Sequence, residues 1–156
     1  MTSAREYGPS PVRWVRDQVA LYESSGGTEG TTLRDTGLPV VILTTIGVRS
    51  GKVRKTPLMR VERDGVYAAI GSQGGAPHDP LWCRNLPAHP DVVLQDGTKV
   101  VEVRARLVHG AERQEWWERA VEAFPPYASY QQRTDREIPV FLLEPVPTDA
   151  ATAEIA

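Results

Sequence analysis

Cysteine is almost absent from this chain: Cys83 is the only one in 156 residues. A single thiol cannot close an internal disulfide, so the fold must rest on burial alone, and a reducing, cytoplasmic setting is expected. Histidine is scarce as well. His78, Cys83 and His89 invite a zinc reading, but their spacing fits no pair-plus-pair ligand pattern, and no metal is expected. No apolar run approaches the roughly 20 residues that span a bilayer. The N-terminus has no cationic start followed by a long apolar core, so no secretory leader is expected. An excess of positive charge is missing too: 18 Lys and Arg against 20 Asp and Glu leave a net charge of -2. That balance argues against a dedicated nucleic-acid binder. No Gly-x-Ser-x-Gly elbow is present, which removes support for serine-hydrolase chemistry, and no strong acid-base pair stands out.

What is present suffices for one core. An apolar content of 40% in a chain of this length fits a single globular domain. Val12, Val15, Val19 and Tyr22 recur at spacings of three, four and three, one face of a helix, with Pro11 suited to its first turn. Trp14 and Val15 are expected to hold that helix against the body. Ser24–Gly37 reads as a long loop. Val40–Ile46 reads as a buried strand and Arg54–Arg63 as a second. Asp64-Gly65 is a hairpin turn that folds Val66–Gly71 back. Ser72–Pro80 is a loop, followed by a short helix with Asp79 as its cap and Pro80 in its first turn. Val92–Gln95 and Thr98–His109 form a further hairpin. Ala111–Phe124 reads as a helix with Trp117, Val121 and Phe124 on one stripe, anchored by Trp116 and Trp117. A short helical segment at Tyr127–Arg133 and a last strand at Pro139–Leu143 follow. Hairpins dominate and strand–helix–strand alternation is missing, so an antiparallel sheet or small barrel with helices outside is expected, an α+β class. The divisions are residues 1–37 as helix and loop, 38–147 as the barrel and 148–156 as a flexible tail.

The stretch from Val40 to Pro57 carries the first functional signal. A β-branched run turns at Gly47 and gives way to Arg49, Ser50, Gly51, Lys52, Arg54 and Lys55. Four cations on one turn of a slightly acidic chain offer guanidinium forks and backbone N–H groups to an anion such as phosphate. Read by itself, the turn is also compatible with a solvated hairpin.

The order of the motifs carries a second signal. Thr44-Thr45-Ile46-Gly47, Arg49-Ser50-Gly51, Arg54, Thr56-Pro57-Leu58, Gly71-Ser72-Gln73-Gly74-Gly75, Pro80-Leu81-Trp82, Asn85-Leu86 and His89-Pro90 follow one another. Tyr127-Ala128-Ser129-Tyr130-Gln131, Arg133-Thr134, Arg136, Ile138-Pro139-Val140 and Glu144-Pro145 complete the series. Over about Leu38 to Pro145 this resembles the deazaflavin-dependent nitroreductases, also described as F420H2-dependent quinone reductases. The resemblance implies a split β-barrel related to FMN-binding barrels, and coenzyme F420 with its anionic phosphate and oligoglutamate tail. It places Arg49, Ser50 and Arg54 near that tail. Thr56, Pro57 and Leu58 run beside the deazaflavin ring, and Leu81 and Trp82 pack on its edge. Ser72, Gln73, Gly74 and Asn85 complete the cofactor set. On the substrate side it places Met59, Phe124, Tyr127 and Tyr130. Gln73 stands where the family usually has lysine, and Lys55 is the candidate to restore that charge. Cys83-Arg84 stands where Tyr-His is frequent. With Met59 and Phe124 in place of tyrosines, the pocket becomes less polar, which weighs against nitroimidazole-type activity.

The implied reaction is hydride transfer from F420H2 to a quinone, nitro or other electron-poor small molecule. Ser72 and Tyr130 are the expected catalytic donors to the oxyanion that forms. FMN binding, a biosynthetic enone or imine reductase, and a non-catalytic deazaflavin binder remain alternatives on the same barrel. Either a monomer or a homodimer is compatible. In relatives the first helix covers the site or touches a membrane, and Asp17 and Glu23 weigh against the membrane version.

Overall fold

Val40–Ile46 is apolar on both sides because both of its faces are covered. In the computed structural model, which describes residues 5–33 and 36–146, it forms β1, and five of its seven residues are buried. The expected tail at 148–156 lies outside the described residues. Chain order then runs through β2 (Val53–Met59), β3 (Glu62–Arg63), β4 (Val66–Ile70), β5 (Asp91–Asp96), β6 (Lys99–Leu107) and β7 (Val140–Pro145). The helices are α1 (Arg13–Ser24), α2 (Trp82–Ala88), α3 (Gly110–Ala123) and α4 (Pro126–Gln132). Among the described residues the strands make one sheet in the order β2-β1-β5-β6-β7-β4-β3, with every pairing antiparallel. The sheet curls until its ends meet: β2 and β3 stand at opposite ends of the order, yet only Arg60 and Val61 separate them in the chain, and Ala68 N to Val61 O at 2.9 Å extends the β3–β4 hairpin to that junction. This is the split-barrel class expected from the sequence.

Successive side chains of a strand point to opposite faces, and the two faces carry two cores. On one, Val40, Ile42, Ala68, Ile70, Val140 and Leu142 pack with Val19 and Tyr22 of α1, Trp116 and Ala120 of α3, Phe124, and Tyr127 of α4. On the other, Val41, Leu43, Tyr67, Ala69, Phe141 and Leu143 pack with Trp82, Cys83 and Leu86 of α2. Trp116 is the deeper anchor of α3, while the expected stripe residues Trp117 and Val121 are only partly buried.

Two expectations need correction. The strand expected at Arg54–Arg63 is split into β2 and β3: Arg60 N still donates to Pro39 O at 3.0 Å, in register with β1, but from Glu62 the chain pairs with β4 instead. Asp79 does not cap α2. The residue at the cap position is Leu81, with no side-chain bond, and the Asp79 carboxylate pairs with Arg136 at 2.7 Å. Among the described residues no helix is long and apolar enough to cross a membrane.

One side chain fastens the N-terminal helix to the sheet. The fully buried Tyr22 accepts from Gly97 N at 2.6 Å and donates toward the carbonyls of Val40 (3.1 Å) and Gln95 (3.3 Å). Burial holds its phenol above the usual tyrosine range, so it stays protonated. Next to it Gly27 (φ +83°) meets the Gly97 turn so closely that a Cβ there would lie 1.7 Å from Gly97 O. Tyr22→Phe removes the hydroxyl from this junction and is expected to cost about 1–3 kcal/mol. A lower urea midpoint at unchanged m-value is the readout.

Candidate functional site

A cavity of about 1090 Å³ opens between the β1–β2 turn, β2, the 72–73 loop, the start of α2, α4 and the N-terminal segment. Such a volume is at the upper end for ligand pockets, which run from about 300 to 1,000 Å³. The protein's own side chains therefore leave this groove open. Of the cofactor and substrate residues expected from the sequence, all but Gly74 line it; of the four cations of the basic turn, Lys52 does not. Gly74 sits at the apex of a 3-10 turn (Gln73–Gly75), with its carbonyl accepting from Arg133 Nη1 at 3.4 Å.

β2 orders the wall. It is an edge strand paired with β1 from Ile46 opposite Val53 to Val40 opposite Met59, so it leads from the basic turn to the aromatic cluster. Arg54, Lys55, Thr56, Pro57, Leu58 and Met59 all contribute to the lining. Pro57 is tolerated because β1 pairs with only one side of this strand. At the far end Met59 joins Phe124 and Tyr127 in one apolar cluster. Phe124 and Tyr127 stack edge-on with ring centroids 5.0 Å apart, and Tyr130 lies 6.2 Å from Tyr127.

The four cations of the turn are not equivalent. Lys55 Nζ is 2.6 Å from Glu23 Oε2 of α1 and sits over the Tyr7 ring at 5.2 Å. Lys52 is near Glu6 at 3.8 Å. Arg54 Nη1 donates to Gly8 O at 2.9 Å. Arg49 is exposed and has no hydrogen bond or ion pair among the described residues. Lys55, expected to restore the charge missing at Gln73, lines the cavity with its ammonium already neutralised. Ser50 is also engaged: its hydroxyl accepts from Lys52 N at 3.1 Å and shapes the turn. Asn85 is buried and bridges α2 to the turn, donating to Thr45 Oγ1 at 2.9 Å and accepting from Val48 N at 3.1 Å.

The hydroxyls of Ser72, Tyr127 and Tyr130 remain available at this end of the cavity. Ser72 is buried against the cavity, and its Oγ has no partner among the described residues. Tyr127 is 4% exposed and its hydroxyl likewise has none. Burial pushes that phenol pKa upward, so it is a neutral donor over the working pH range. Cys83 belongs to the core rather than the chemistry. Burial raises its thiol to about 12, which leaves it neither thiolate nucleophile nor ready metal ligand.

The resemblance implied that the first helix covers the site, but reading the sequence named no residue of the N-terminal segment as a candidate. Gly8, Ser10, Pro11, Val12 and Val15 line the cavity, as do Leu33, Val48 and Arg84. Val12 and Val15 share the helical stripe with Val19 and Tyr22, but only the latter two reach the core. Periodicity finds an apolar face and cannot say that half of it borders a cavity. Arg136 was also missed as a structural element of the site.

A family model described as F420H(2)-dependent quinone reductase matches residues 14–145. An F420H(2)-dependent quinone reductase of Mycobacterium tuberculosis is 33% identical over 135 residues, which is 85% of this chain and 90% of that relative. The solved structure of an F420-H2 dependent reductase is 54% identical with a TM-score of 0.65, covering 68% of this chain and 94% of the other. A second solved structure, described as a domain-swapped dimer, is 50% identical with a TM-score of 0.67, covering 86% and 100%.

Asn85→Ala removes both anchors of the turn and is expected to lower stability by about 1–3 kcal/mol. Hydrogen exchange at the Val48 amide should accelerate more than exchange in β7, because the loss is local.

Proposed function

Because the chain belongs to the F420H(2)-dependent quinone reductase family, we propose that it transfers a hydride from reduced coenzyme F420 to a quinone or another electron-poor small molecule. The observation that carries this reading is the linear order of the cavity wall. Arg49, a cation without a partner among the described residues, stands at one end. The strand Thr56-Pro57-Leu58 runs along the side, and the unpartnered hydroxyls of Ser72 and Tyr127 stand where the pocket turns aromatic.

The residues present fit the cofactor. Arg49 and the remaining donors of Arg54 suit its phosphate and carboxylates, since a guanidinium fork matches such anions. Leu58 and Trp82 offer apolar surface for a flat ring system. Reduced F420, when bound, supplies the hydride. The chain's own task is to orient donor and acceptor, exclude water and meet charge where it develops. Quinone reduction consumes one hydride and one proton and leaves oxygen negative on the way. Ser72, Tyr127 and Tyr130 are the cavity hydroxyls that can donate to that oxygen. This chemistry needs no carboxylate pair. The family favours F420 over FMN. A nitro compound would be a secondary acceptor, since Met59 and Phe124 make this end apolar. The lone Cys83 supports a cytoplasmic setting, and the domain-swapped relative supports a homodimer.

Three measurements test the proposal. Purified protein should bind reduced F420 more tightly than FMN and regenerate F420 absorbance when menadione is added. Absence of binding at tens of micromolar cofactor, with the protein folded, overturns it. Arg49→Ala should weaken cofactor binding by about tenfold or more, the loss of a charge-assisted hydrogen bond of about 1.5–3 kcal/mol. Lys55→Ala should weaken it less, because Glu23 already occupies that ammonium. Light scattering should give a mass twice the 17.2 kDa of one chain.

A further inference from the structure

The loop that carries Ser72 is held in an unfavourable backbone conformation. Ser72 itself is right-handed helical (φ -77°), but Gln73, Gly74 and Gly75 follow with φ of +45°, +64° and +81°. A left-handed residue with a Cβ, here Gln73, costs about 1–2 kcal/mol, and such segments persist only where their surroundings fix them. One side of the loop is wedged against α4. A Cβ on Gly75 would lie 2.6 Å from Tyr130 O, so only glycine fits there.

The other side is gripped by a single guanidinium. Arg136 Nη2 donates to Ser72 O at 2.8 Å, Nη1 to Gly71 O at 3.1 Å and Nε to Ala76 O at 2.9 Å. Nη1 also meets Asp79 Oδ1 at 2.7 Å, which ties in the far end of the loop. Arg136 does not line the cavity. Its planar fork spans three carbonyls at once, which a lysine ammonium cannot do. It holds the Ser72 carbonyl and leaves the Ser72 hydroxyl free for a ligand.

We propose that Arg136, supported by Asp79, is a positioning residue that fixes the Ser72 hydroxyl at the reacting end of the cavity. The catalytic half of this inference rests on the functional reading above. Removing the clamp should cost turnover through Ser72 and not through cofactor binding, which the β1–β2 turn secures elsewhere.

The test is a double-mutant cycle with a ligand-free companion. Arg136→Gln and Ser72→Ala should each lower kcat with menadione, by on the order of tenfold or more for a lost oxyanion donor. Affinity for reduced F420 should stay within about threefold. The double variant should be no slower than the worse single one, since both changes remove the same contact. Multiplicative losses overturn the proposal, because a general structural defect adds to the loss of Ser72. In the ligand-free protein, exchange at the Gly75 and Ala76 amides, which close this turn onto Ser72 O and Gln73 O, should accelerate in Arg136→Gln while β1 is unchanged. Unchanged exchange overturns the clamp. Should Arg136→Gln fail to fold, Asp79→Asn keeps the three carbonyl bonds and is expected to show the same changes in weaker form; no change there counts against the proposal. Wild-type protein that fails to oxidise reduced F420 overturns the functional reading and the catalytic half with it, while the exchange data still decide the positional half.

Discussion

Between Val40 opposite Met59 and Ile46 opposite Val53, β1 and β2 pair along their whole length. Everything at the site depends on that register. β1 is covered on both faces, Val40 and Ile42 by one core and Val41 and Leu43 by the other, so slipping it by one residue would exchange the two sets. Burial therefore holds β1, and β1 holds β2. The basic turn, the ring-length stretch Thr56-Pro57-Leu58 and Met59 are thereby set in one line along the cavity. Asn85 fixes the turn from below through Thr45 and Val48. The active surface is an edge strand whose geometry comes from the strand behind it.

Charge is distributed along the same line with a consequence for affinity. The N-terminal segment lies against the start of β2, with Gly8 N donating to Val53 O and Val53 N to Glu6 O. It brings Glu6 beside Lys52, and α1 brings Glu23 to Lys55. Two of the four cations thus organise the protein itself. The Lys55–Glu23 contact is half-buried and short, so that ammonium is already occupied when a ligand arrives. Arg49 and part of Arg54 are what remains for an incoming anion. A basic run in a sequence overstates the charge available to a ligand wherever the fold supplies its own counter-ions.

At the other end of the cavity the chemistry rests on hydroxyls held in place and not on titrating groups. Ser72 and Tyr127 are buried without partners among the described residues, and an unpaired buried donor becomes useful only when a ligand oxygen arrives. Holding Ser72 there requires a strained turn, Gly75 pressed on α4, and Arg136 gathering three carbonyls. The hydride comes from the cofactor, so the protein's contribution is placement.

Much of this was legible in the residues. The apolar run of β1, the Asp64-Gly65 hairpin and the helix with Trp116 and Trp117 follow from local pattern, because each rests on contacts within a few residues. The order of motifs from Thr44 to Pro145 pointed to the family, and with it to a set of site residues of which all but Gly74 line the cavity. Other features involve residues distant in the chain. Asp79 looked like a helix cap because that is what an aspartate before Pro80 does locally; its partner, Arg136, lies 57 residues on. Lys55 looked free because Glu23 is 32 residues away. Val12 and Val15 looked like core because a helical stripe carries no sign of whether a cavity or a sheet faces it. By itself the sequence determined which segments become strands and helices, and which family's site they build. Only the tertiary structure decided which charges are already neutralised, which hydroxyls lack partners and what holds Ser72 in place, because those depend on side chains that meet only after the sheet has curled.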